Sequence, residues 1–92
     1  DKIFEEIDIA DVLPRLAKEA EQYIHQNAAS AQQGKPFFLY FPLSAPHTPI
    51  VPTPDWAGKG KIGKYADFVA QTDGVVGAVI RALEQNGIAD QT

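Results

Sequence analysis

With 92 residues, of which 45% are hydrophobic and 22% charged, the chain has the make-up of one globular unit or part of one. A chain this short buries too small a share of its surface to wall a deep substrate pocket by itself. A net charge of −4 and a pI near 4.9 leave no basic stripe to displace phosphate counterions, so nucleic acid is not expected as a partner. The absence of cysteine excludes a disulfide, a thiolate zinc site and a cysteine nucleophile.

The N-terminus, DKIFEEIDIAD, is acidic and lacks the basic start of a signal peptide, so any export signal is expected outside this stretch. Next, Ile9, Val12, Leu13, Leu16, Ala17, Ala20, Tyr23 and Ile24 recur at three- and four-residue steps, which predicts a helix over about 11–28 with one buried face. Asp8 or Asp11 can cap it, and Pro14 is tolerable only in its first turn. After a polar connection comes Phe37-Phe38-Leu39-Tyr40-Phe41, apolar on both alternating faces, which predicts a buried parallel strand over about 36–42. Such a strand needs partners on both edges, and no second strong strand exists in the chain. The longest nearly apolar run, Pro36 to Ala45, is too short to span a bilayer, so no membrane partner is expected.

Residues 43–63 hold most of the prolines and three glycines and are expected to form a long loop of the kind that carries function. A second helical period runs over about 64–86 through Tyr65, Phe68, Val69, Thr72, Val75, Val76, Val79, Ile80 and Leu83, and stops at Asn86-Gly87. Gly74 and Gly77 inside that helix cost about 1 kcal/mol each relative to alanine, which implies a closely packed neighbouring backbone.

Gly58-Lys-Gly-Lys-Ile-Gly-Lys64 meets the spacing of two nucleotide-binding patterns but fails both in context. Tyr65 stands where a phosphate loop needs a hydroxyl, and a proline-rich loop precedes the motif in place of a strand. A flexible loop with solvated lysines is the expected reading. Ser44, three residues before His47, lacks the G-x-S-x-G elbow of a serine nucleophile and reads as a turn residue. His25 reads as a surface histidine. His47 differs because it follows the C-terminal end of the expected strand, where open α/β sheets bind ligands, and because Pro46 and Pro49 restrict its backbone. An imidazole there can bind an anion as the cation or pass a proton near neutral pH.

KPFFLYFPLSAPHTPIVP, followed by KYADFVAQTDGVVGAVIRALEQNGIADQT, closely resembles the middle of sulfatases of the arylsulfatase A type, from about Lys35 to Thr92. The resemblance implies an α/β fragment of an alkaline-phosphatase-like fold, belonging to a sulfuric ester hydrolase. Its substrate would be a sulfate ester, and its complete form would use calcium and a formylglycine made within a C/S-x-P-x-R motif. The histidine of A-P-H-T-P contacts the sulfate group in that family, which gives His47 a catalytic and substrate-binding role. Ser44-Ala-Pro-His-Thr48 departs from C/S-x-P-x-R because Thr48 stands in place of arginine, so nucleophile and metal ligands are expected elsewhere. No metal ligand or cofactor is expected in this chain, which alone should be inactive and should self-associate through its uncovered strand. A phosphoester or phosphonate hydrolase of the same superfamily, or a non-enzymatic module keeping part of the fold, are the alternatives.

Overall fold

The computed structural model describes residues 8–92; the acidic stretch read for an export signal begins outside them. A short 3-10 helix, Ile9–Asp11, leads directly into α1, Val12–Gln32. The Asp8 carboxylate accepts from the Ala10 N–H at 3.0 Å and starts the 3-10 turn, while Asp11, at the N-cap of α1, makes no side-chain cap bond. Pro14 falls in the first turn of α1, where its missing N–H costs no helical bond. The second long helix, α2, spans Lys64–Gln85, and Gly87 follows its end at φ 70°, a left-handed position that glycine occupies without Cβ strain. A last 3-10 turn covers Ala89–Gln91.

The two long helices run parallel. The N-terminal residues Leu13 and Ala17 of α1 cluster with Phe68 and Val75 of α2, and its C-terminal Ile24 and Ala28 cluster with Ala82 and the following Ile88. The connection between them must therefore return along their length. It does so as an extended segment: Phe37 and Leu39 pack on the C-terminal cluster, Phe41 and Leu43 on the N-terminal one. Tyr23 meets Phe37 edge to face, with centroids 5.5 Å apart. At the far end, Gln32 donates to the Asn86 carbonyl and Asn86 Nδ2 donates to His25 Nδ1 at 2.8 Å, so the C-terminal end of α1 is tied to that of α2. His25 is exposed as expected, but it has this partner.

The expected buried parallel strand is not formed, and the α/β class is corrected accordingly: among the described residues only helices are regular. The cause is the one the sequence warned of. A strand exists only through its ladder, and among the described residues no segment pairs with 36–42. Alternation survives without the ladder, because Phe37, Leu39 and Phe41 turn to the helices while Phe38 and Tyr40 remain 85% and 77% exposed. None of the described helices is long and apolar enough to cross a membrane.

The α2 glycines differ. A Cβ at Gly74 would lie 2.7 Å from Trp56 Cζ2, so a loop side chain, and not a backbone, fills that notch. At Gly77 a Cβ would meet only the flexible Arg81 Nη1, at 3.4 Å. Gly77→Ala should therefore raise stability by about 0.5 to 1 kcal/mol through helix propensity. Gly74→Ala should lower it, because displacing a packed indole costs about 1 to 3 kcal/mol and outweighs the same propensity gain. Urea unfolding of both variants checks this, and equal stabilisation by both would show that the Trp56 contact is loose.

Candidate functional site

The turn after the extended segment places His47 between two cis peptide bonds, Ala45–Pro46 and Thr48–Pro49. Its Nδ1 lies 2.8 Å from the Thr48 carbonyl oxygen and 3.4 Å from Thr48 Oγ1. A carbonyl only accepts, so the proton of a neutral ring sits on Nδ1 and Nε2 is left for a ligand. The side chain is exposed and lines a pocket of about 190 Å³ with Ser44, Thr48, Leu13, Val51 and Phe68. Sites that enclose a ligand run to about 300–1,000 Å³, so this pocket is one wall of a site. Ser44 shares the pocket, but the hydrogen-bond partner of the His47 ring is Thr48, at Nδ1, and not Ser44.

Beyond His47 the loop is fastened to the first three turns of α2. Ile50 and Val51 pack on the cluster containing Phe68. The Thr53 N–H donates to Gln71 Oε1 at 3.0 Å. Trp56 lies against Gly74. The Gly58 N–H donates to Asp67 Oδ2 at 2.8 Å and the Gly60 N–H donates to Asp67 Oδ1 at 3.0 Å. Asp67 and Gln71 are 5% and 3% exposed, and burial of such groups is tolerable because these backbone donors replace water. The glycine-rich motif is thus not the free, solvated loop expected of it: its amides hold an anion, and that anion is the chain's own carboxylate.

Asp67 and Gln71 escaped sequence reading, which counted apolar positions only. The signal was present in the register. The buried positions of α2 are 67, 68, 71, 75 and 82, while Tyr65, Val69, Val76 and Ile80, counted with the helical period, are largely exposed. Polar residues on the side that also carries Phe68 and Val75 mark places where something donates to them.

A family model described as Sulfatase matches residues 14–92. Human arylsulfatase D is 35% identical over 77 residues, covering 84% of this chain and 12% of that protein. The N-acetylgalactosamine-6-O-sulfatase of Bacteroides thetaiotaomicron is 30% identical over 90 residues, covering 98% of this chain and 16% of that protein. Mouse steryl-sulfatase is 34% identical over 85 residues, covering 92% of this chain and 13% of that protein. The chain therefore spans between about an eighth and a sixth of the length of these relatives. No solved structure matches it significantly. The match of the family model over nearly the whole chain, on the segment that presents His47 beside a small pocket, means that this chain belongs to the sulfatase family.

Proposed function

We propose that the chain is the His47-bearing portion of a sulfuric ester hydrolase, and that His47 donates a hydrogen bond to the sulfate group. The observation that supports this best is the placement of His47: an exposed imidazole that lines a pocket with Leu13, Val51 and Phe68 and whose Nδ1 is committed to the Thr48 carbonyl, which leaves Nε2 as the nitrogen for a ligand. Sulfate-ester cleavage spreads negative charge over oxygens, and a donor fixed in advance stabilises that charge without reorganising during the reaction. With Nδ1–H held by Thr48, a second proton on Nε2 makes the ring a cation whose outer N–H is the donor to a sulfate oxygen. Leu13, Val51 and Phe68 lower the local polarity around that hydrogen bond and strengthen it.

The sulfatase family generally depends on calcium and formylglycine. The residues of this chain do not fit either group. Among the described residues no three His, Asp or Glu side chains converge to hold a cation. The chain has no cysteine, and neither Ser30 nor Ser44 begins a C/S-x-P-x-R motif. In a complete polypeptide both groups would be held by residues other than those of this stretch.

The test is made on a complete polypeptide carrying this segment. Its kcat/KM for 4-nitrophenyl sulfate should exceed that for 4-nitrophenyl phosphate; the reverse preference would place it with phosphoester hydrolases. We further propose that the 92-residue chain by itself associates with its own copies through Phe38 and Tyr40.

A further inference from the structure

We propose that Asp67 and Gln71 are positioning residues for His47, a role that rests on His47 donating to the sulfate ester. The two buried side chains lie one helical turn apart on α2 and hold the loop at three backbone amides, Thr53, Gly58 and Gly60. Thr53 is six residues beyond His47, and the chain between them passes through Ile50 and Val51, which are packed into the cluster with Phe68. Phe68 is the residue next to Asp67 and also lines the His47 pocket. The first two turns of α2 therefore bear on the His47 loop through apolar packing around Phe68 and through three hydrogen bonds.

No regular ladder orders residues 43–63, so these contacts, with the Trp56 packing at Gly74 and the turn hydrogen bonds at Thr53 and Trp56, restrict the loop. The fit is tight: a Cβ at Gly60 would sit 2.7 Å from Asp67 Oδ1, so the carboxylate closes on bare backbone. Each carboxylate oxygen takes one N–H. An asparagine in its place offers one acceptor and turns an NH2 toward the other amide, where donor meets donor. Gln71 needs only its Oε1, which methionine lacks and glutamate keeps. A donor displaced by about 1 Å from the reacting group loses about a hundredfold in rate, so partial loosening of the loop should read mainly in kcat.

The test uses a complete sulfatase polypeptide carrying this segment, with 4-nitrophenyl sulfate as substrate. Asp67→Asn and Gln71→Met should each lower kcat about tenfold with KM changed less than about threefold, and Gln71→Glu should recover most of the Gln71→Met loss. In a His47→Ala background the same substitutions should cost less than about twofold, because the group they position is gone. Amide exchange should quicken at Gly58 and Gly60 in Asp67→Asn, and at Thr53 in Gln71→Met. Equal losses with and without His47 would overturn the positioning role while leaving His47 in place. Unchanged exchange at these amides would overturn the anchor whatever the kinetics show. A His47→Ala enzyme of wild-type turnover would instead remove the reading on which the role rests.

Discussion

Replacing His47 by alanine in a complete sulfatase polypeptide carrying this segment is expected to lower aryl-sulfate turnover by about a hundred- to a thousand-fold. That is the typical cost of removing one donor fixed in advance at a site of developing negative charge, about 3 to 4 kcal/mol. The same substitution should scarcely affect folding. His47 is exposed, and its recorded hydrogen-bonding contacts are with the neighbouring Thr48, so its removal should cost no more than about 1 kcal/mol of stability. Turnover and thermal unfolding measured on one preparation separate the two effects. Turnover within a few-fold of wild type, or a loss that tracks a large fall in Tm, would make His47 a structural residue of the loop.

The 92-residue chain in isolation is expected to populate dimers or larger species at micromolar to millimolar concentration, and Phe38→Lys with Tyr40→Lys should return it to monomer. Phe38 and Tyr40 are 85% and 77% exposed on the face of the extended segment that turns away from the helices. Burying a large apolar side chain is worth about 1.5 to 3 kcal/mol, so two such residues from each of two copies give roughly 6 to 12 kcal/mol gross. Association costs about 4 to 15 kcal/mol, of the same size as the gain, so pairing of the open backbone edges is what tips the balance toward association. The double substitution touches neither helical cluster, so unfolding should shift little while association is lost. Light scattering over a dilution series is the measurement, and a wild-type chain that stays monomeric at millimolar concentration would refute the expectation.

Both helices were legible because their signals are local. The apolar period, the tolerated Pro14 and the Asn86-Gly87 stop each act within a turn or two, and α2 lies at Lys64–Gln85 against the expected 64–86. The first helix runs on to Gln32, past the expected 28, because Ala28 and Ala31 still find the apolar cluster around Ile24. The strand failed for the opposite reason. Phe37 to Phe41 have the right composition, but a ladder is a relation between two segments, and one segment cannot show whether its partner is present. His47 stood out as a candidate through its prolines and its place after an apolar run, and its proposed role came from the resemblance of A-P-H-T-P to the family. Its pocket was not legible, since Leu13 and Phe68 come from helices 34 residues before and 21 residues after it. Asp67 and Gln71 were hidden because a buried polar side chain is recognisable only once its donor is known, and here the donors are loop amides that leave no mark in residue identity.

The parallel course of the two helices has a consequence during synthesis. Phe37 and Leu39 pack on the apolar cluster that contains Ala82 and Ile88, residues made some 40 to 50 positions later. At about 5 to 20 residues per second the ribosome takes roughly 2 to 10 seconds to cover that interval. Throughout it, α1 and the five consecutive apolar residues ending in Phe41 are without the partners that α2 supplies. Chaperones that bind short aromatic stretches therefore have a window of seconds at this segment, one that closes when the second half of α2 leaves the exit tunnel.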